Sequence, residues 1–274
     1  MMSKDELGTR MKLYEGAETD ARFMPRLPVI ARLDGRAFHS WCKNLDRPYD
    51  SSMSALMVAV TKKLVEETNA LVGYTQSDEI TLAWYSDDPK SEIFFAGRKF
   101  KMISGLAAMA SVYFNQMVPE YMPSKEGQLG FFDCRVWQVP NLSEAANVFV
   151  WRELDATKNS VSMAAQSMFS HQELQRKDGS AMQDMMMKTF NVNWNDYPPF
   201  FKRGTYVQRK EKVTKMDAAD IELLPEKHHA RLTPELAITR TVVTQIDMPI
   251  ITTVQNRVDA LFNGHTPIAG EYKE

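Results

Sequence analysis

Pro28-Val29-Ile30-Ala31-Arg32-Leu33-Asp34-Gly35-Arg36-Ala37-Phe38-His39 reads as a buried strand that closes in an acid and then a glycine. Val29 to Leu33 is an apolar run of strand length, and Pro25 and Pro28 frame its entry. Asp-Gly by itself is a common turn pair. Its place at a strand end gives it more weight, because a glycine there lets a ligand approach the backbone closely. Downstream, Tyr74-Thr75-Gln76-Ser77-Asp78-Glu79-Ile80 sets a second acidic point between two predicted strands, Leu71 to Thr75 and Ile80 to Tyr85. Alone, that pair of acids would be a solvated hairpin tip. Between the two stretches, Asp50 or Ser51 can cap a helix that carries Met53, Leu56, Met57, Val60 and Leu64 on one face. A single crossover helix lets the strands be neighbours and brings Asp34 and Asp78 to the same end of one sheet.

Outward from this core, residues 4 to 24 have helical character. From Ser91 to Met117, Ile103, Leu106, Ala107, Ala110, Phe114 and Met117 recur at helical spacing, and Pro119 is expected to stop that helix. Phe131 to Val139 reads as a further strand. The resulting β-α-β-β-α-β order predicts an α+β fold of the ferredoxin-like, split βαβ kind: an antiparallel sheet with two helices on one face, the other face free, and additional helices. Asn141 to Arg176 reads as long and helical, and a short strand is expected at Thr205 to Gln208. The basic run Arg209-Lys210-Glu211-Lys212 with Lys215 fits a solvated linker or a phosphate contact. The expected organisation is a catalytic domain over residues 1–208 and an extension over 209–274, separate or packed on the same domain.

With 274 residues and 44% hydrophobic content the chain can bury a substantial core. A formal net charge of -2 gives no global basic field, so nucleic-acid binding must rest on a local patch. Cys42 and Cys134 are the two cysteines, too few for a disulfide framework or a cysteine zinc site. No run reaches the length of a membrane span, and Met1 to Arg10 is charged rather than apolar, so a cytoplasmic protein with no membrane partner is expected. The 18 methionines suit core packing or an adaptable subunit interface. There is no GxxxxGK[ST] loop, dinucleotide fingerprint, HExxH or nucleophile elbow, and His228-His229 lacks a nearby ligand set.

Hard cations such as magnesium take oxygen ligands, often one or two carboxylates plus substrate phosphates. Asp34 and Asp78 are the candidate metal ligands. Neighbouring strand residues face opposite sides, so Glu79 is assigned a supporting role beside Asp78. Arg98 and Lys101, three apart on a predicted helix with Gly105 further along the stripe, are a candidate phosphate clamp or a solvated basic face. Asp155, Lys158, Asn159 and Ser162 share a helical face, the ordinary reading of which is an exposed stripe.

Together these residues resemble the tRNA-histidine guanylyltransferase family and its branch of guanylyltransferase-like 3′-to-5′ polymerases. The likeness rests on Ile30 to His39 and Tyr74 to Glu79. It extends through Phe132-Asp133-Cys134-Arg135, Trp151-Arg152-Glu153-Leu154-Asp155-Ala156, Phe190-Asn191-Val192-Asn193-Trp194-Asn195 and Lys202-Arg203-Gly204-Thr205. It implies a polymerase-palm domain and a magnesium-dependent nucleotidyltransferase, working with two ions, that adds nucleotides to the 5′ end of tRNA or tRNA-like RNA. ATP or GTP would activate the 5′-phosphate, and the 3′-hydroxyl of an incoming NTP would then attack it. By motif, Asp34, the backbone of Gly35, and Asp78 would bind metal, with Glu79 in the same catalytic set. Arg36, Ala37, Phe38, His39 and Ser77 would line the triphosphate, with Arg98 and Lys101 as further contacts. Lys158, Asn159, Lys202 and Arg203 would touch RNA, and a homo-oligomer, commonly a tetramer, is implied. Where eukaryotic members carry His-Ile-Asn-Asn, this chain has Thr157-Lys158-Asn159-Ser160, which is more like the templated 5′-repair branch. A cyclase on a related palm and a non-catalytic RNA or nucleotide sensor are the alternatives.

Overall fold

The computed structural model describes residues 4–228, 231 and 237–270. Its frame is one antiparallel sheet of six strands in the order β4-β1-β3-β2-β5-β6. These are β1 (Val29–Gly35), β2 (Val72–Gln76), β3 (Glu79–Trp84), β4 (Phe132–Gln138), β5 (Thr205–Lys215) and β6 (Ala237–Ile246). β1 lies at the centre of the predicted unit because Val29, Ile30, Ala31 and Leu33 are all fully buried, which demands cover on both faces. β2 and β3 form a tight hairpin whose turn is only Ser77 and Asp78, with Ser77 in the left-handed region at φ 53°.

Helices α1 (Lys4–Thr19), α2 (Phe38–Trp41), α3 (Ser51–Thr68), α4 (Lys99–Tyr121) and α5 (Leu142–Gln166) account for most of the predicted helical segments. The carboxylate of Asp50 caps α3 by accepting from the amides of Ser52 and Met53. One sheet face carries Val29, Ala31, Leu33, Ile80 and Leu82 against Leu56, Val60, Leu106 and Phe114 of α3 and α4. Pro119 does not end α4, which continues to Tyr121. A proline so near a helix terminus removes a single intrahelical bond, and the Met122 amide still reaches the Val118 carbonyl at 2.7 Å.

The opposite face is covered rather than free. Ile30, Val72, Tyr74, Ala83 and Tyr206 pack against Ala145 and Phe149 of α5 and against Ile251, Leu261 and Phe262 near the C-terminal end. Glu153 of α5, with its side chain inside this layer, accepts from the Ile251 amide at 2.9 Å and the Tyr206 hydroxyl at 2.8 Å. Gln208 donates to the carbonyls of Ala260 and Leu261. The expected boundary at 208–209 therefore falls inside β5, a strand paired with β6 as far as Lys215. The long helical stretch expected from 141 to 176 ends at Gln166, and a separate helix, Gly179–Phe190, packs with it around Ala164, Ala165 and Met186.

Gly204 explains the Lys202-Arg203-Gly204-Thr205 motif. At φ +75° it enters β5 so closely that a Cβ would lie 2.6 Å from both the Thr75 carbonyl and the Tyr74 hydroxyl. His229 lies outside the described residues.

Candidate active site

The two acidic stretches meet at one end of the sheet. In the β1–β3 register Asp34 stands opposite Glu79, and the Gly35 amide donates to the Asp78 carbonyl at 3.1 Å. Gly35 has no room for a side chain: a Cβ would sit 2.4 Å from the Phe38 ring and 2.8 Å from Asp78 Oδ2. The glycine therefore sets how closely the loop and the hairpin approach. After it, the Arg36 amide bonds to the Phe131 carbonyl, and Ala37 takes a left-handed conformation at φ 57° that turns the chain into α2.

That turn decides the place of Phe38. Its side chain is 3% exposed and packs on Trp41, Phe114 and Phe132, so it anchors the loop in the core and cannot line a triphosphate with its ring. His39 and Ser77 line a cavity of about 420 Å³ beside the hairpin, together with Lys43, Asp46 and Gln76. Lys125 ties the rim of this cavity down by donating from Nζ to the carbonyls of Trp41 and Lys43, at 2.8 and 2.6 Å.

Burial pushes the Asp78 carboxyl above its usual range, and the nearby Asp34 charge adds to this, while the Asp78 backbone amide and the Ser77 hydroxyl work in the other direction. Glu79 is also pushed up by burial, opposed by Arg152 and Arg32. The difference between the two acids lies in their partners. Arg152 of α5 grips Glu79 through two parallel bonds, Nε to Oε1 at 2.7 Å and Nη2 to Oε2 at 3.1 Å, and its Nη2 also reaches Asp155 at 2.9 Å. Arg32 approaches Glu79 at 3.7 Å. Glu79 is thus a neutralised strut between sheet and helix, while Asp78 feels the charge of the neighbouring Asp34.

Other predicted contacts are not brought together with the acids. Arg98 is the residue that precedes α4 rather than part of a helical turn, and Phe95 packs against Gly105. Arg98 and Lys101 line a cavity of about 590 Å³ with Trp84 and Tyr85. In the β1–β3 register Trp84 lies five residues from Glu79, about 17 Å along the strand. Within one chain this pair therefore lines a cavity at the opposite end of β3 from Asp34 and Asp78. Lys202, expected at RNA phosphates, is turned inward: it is 8% exposed, its Nζ lies over the Trp194 ring at 5.3 Å, and it donates to the Asn195 carbonyl. Arg203 is half-buried, and its carbonyl accepts from Tyr74. Lys158 and Asn159 remain exposed on α5. Arg152, given no role by composition or spacing, emerges as the main support of the site. Its signal was the Arg152/Asp155 spacing of three on a helix otherwise buried on that side.

A family model described as "Thg1: tRNAHis guanylyltransferase" matches residues 8–140. A bacterial tRNA(His) guanylyltransferase (Thg1)-like protein in complex with ATP is similar at 32% identity, with a TM-score of 0.76 over 93% of this chain and 98% of that one. The structure of such a bacterial protein in complex with GTP is similar at 30% identity, with a TM-score of 0.67 over 90% of this chain and 94% of that one. The tRNA(His) guanylyltransferase of Saccharomyces cerevisiae is 24% identical over 213 residues, which cover 72% of this chain and 88% of the yeast protein. Likeness of this extent, on a frame that brings the strand-end acid against the hairpin acid, shows that the chain belongs to the tRNA-histidine guanylyltransferase family of nucleotidyltransferases.

Proposed function

We propose that this chain adds nucleotides to the 5′ end of tRNA or tRNA-like RNA, in the 3′-to-5′ direction, after ATP or GTP has activated a 5′-monophosphate. The observation that carries the proposal is the pair Asp34 and Asp78, brought to one end of the sheet and joined through the Gly35 amide on the Asp78 carbonyl. A half-buried carboxyl, Asp78, raised by burial and by the charge of the neighbouring Asp34, beside a glycine with no room for a side chain, suits a divalent cation with oxygen ligands. Among the described residues no group of three or more His, Cys, Asp and Glu side chains is placed to hold a metal. Magnesium takes few protein carboxylates and completes its shell with phosphate and water.

Asp34, the Gly35 carbonyl and Asp78 would hold two magnesium ions, which supply charge neutralisation at the attacking and leaving oxygens. The rest of the work falls to the chain. Arg36, Ala37, His39 and Ser77 would hold the triphosphate, and Phe38 fixes their backbone from the core. The cavity lined by Lys43, Asp46 and Gln76 would take the base. Arg152 keeps Glu79 paired, so that the acid pair alone faces the ligand. Phosphoryl transfer needs chiefly positioning and electrostatic stabilisation, and this arrangement provides both without a covalent nucleophile. Thr157-Lys158-Asn159-Ser160 favours templated 5′ repair over strict guanylylation, with Lys158 and Asn159 exposed for RNA. A homo-oligomeric, cytoplasmic enzyme is part of the same proposal, and no helix among the described residues is long and apolar enough to cross a membrane.

The test supplies 5′-monophosphorylated, 5′-truncated tRNA with ATP, magnesium and each labelled NTP in turn, and resolves products at single-nucleotide length. Extension that follows the template is the expected result. A single guanosine added only to tRNA-histidine would indicate strict guanylylation. Cyclic nucleotide formed from NTP without RNA, or no extension on any RNA, would overturn the proposal.

A further inference from the structure

Of the five tryptophans, Trp41 and Trp84 are buried, Trp137 and Trp194 are half-buried, and Trp151 is exposed, at 49%. It stands on α5 beside two guanidinium groups, with Arg152 Cζ 4.5 Å and Arg32 Cζ 5.5 Å from its ring centroid. Both arginines are held by Glu79, so the ring rests on a fixed cationic mount rather than on mobile side chains. By strand alternation Arg32 and Asp34 point to the same side of β1, two residues or about 7 Å apart. β4 sets Arg135 opposite Arg32 and Asp133 opposite Asp34, and both of these β4 side chains are more than half exposed. An open strip therefore runs from the acid pair along the α5 side of β4, with Trp151 as its aromatic wall, Arg135 as its exposed cation and the largely buried Arg32 beneath it.

A large exposed aromatic face beside fixed cations is poor solvent surface but matches a nucleotide, whose base stacks and whose phosphate is anionic. We infer that Trp151 is the platform on which the terminal base at the RNA 5′ end stacks, with Arg32 and Arg135 flanking the adjoining phosphate. This rests on the reading of the chain as an RNA 5′-end enzyme and adds to it a positioning residue for the RNA. The incoming nucleotide is assigned instead to the cavity across the hairpin, which Trp151 does not line.

Two measurements test the inference. In steady-state addition to 5′-truncated, 5′-monophosphorylated tRNA, Trp151→Leu should raise KM for RNA about tenfold, in line with the loss of one stacked base. KM for ATP should stay within about twofold, and Trp151→Phe should recover most of the RNA affinity because an aromatic face is kept. Equal changes in both KM values, an unchanged KM for RNA, or a Trp151→Phe as impaired as Trp151→Leu would overturn it. Separately, iodide quenching of the wild-type protein should be reduced by the truncated tRNA and not by ATP alone, and Trp151→Leu should lack the protected fraction. If the wild type extends RNA but RNA leaves quenching unchanged, the platform is wrong and the enzymatic reading stands. If RNA protects but no extension occurs, the platform stands and the enzymatic reading fails. Protection by ATP alone would place the nucleotide on Trp151 and overturn the inference, and absence of both protection and extension would overturn both.

Discussion

Asp34→Ala and Asp78→Ala should each lower 5′ addition by about a thousandfold or more, because each removes half of the charge that a divalent ion needs at the reacting phosphates. The fold should survive both changes. Asp78 is a carboxylate whose proton affinity is raised by burial and by the Asp34 charge, so removing either acid relieves a like-charge contact in the metal-free protein. Thermal unfolding followed by circular dichroism is therefore expected to show a midpoint equal to or above that of the wild type, while single-turnover addition is lost. Near-normal turnover in either variant would show that the metal assignment is wrong. A large fall in midpoint would show that the acids serve the fold instead.

Arg152→Ala should behave in the opposite way and damage the fold first. It strands Glu79 between β3 and α5 with only the weaker Arg32 approach left, and it frees Asp155. Breaking a buried pair by removing one partner costs roughly 3–5 kcal/mol. The lower end is expected here because Arg32 remains near Glu79, and urea denaturation would measure it. The double change Arg152→Met with Glu79→Gln should regain part of the loss, since the Glu79 charge is removed together with that of Arg152, while Asp155 and Arg32 each still lose a partner. If Arg152→Ala were as stable as the wild type, Glu79 would not be the strut described above.

The core of the fold was legible because its signals are local. The strand Val29 to Leu33, the Asp50 cap and the α3 stripe each lie within a few residues of chain, and the acid pair follows from two strand ends joined by one crossover. What was hidden depends on contacts distant in sequence. Arg98 and Lys101 have the spacing of a clamp, but no local pattern tells at which end of the sheet their helix begins. Lys202 reads as a surface base, and only the approach of Trp194 and Asn195 shows it to be internal. The run from Arg209 to Lys215 looked like a linker because its charges mask the Val and Thr alternation, and its partner strand lies beyond residue 236. The second sheet face reads as free in the sequence because the residues that cover it come from α5 and from Ile251 to Phe262, segments whose apolar positions name no partner. By motif Phe38 groups with its neighbours as a ligand contact, whereas the left-handed turn at Ala37 sends its ring into the core.

The most direct measurement is transfer of α-labelled adenylate from ATP to a 5′-monophosphorylated, 5′-truncated tRNA, with magnesium and no other nucleotide present. The prediction is label on the RNA only when its 5′-monophosphate is intact, released when an NTP is added and replaced by a product one nucleotide longer at the 5′ end. Label recovered as a cyclic nucleotide, or RNA that stays unlabelled whether or not it carries the 5′-phosphate, would contradict the account.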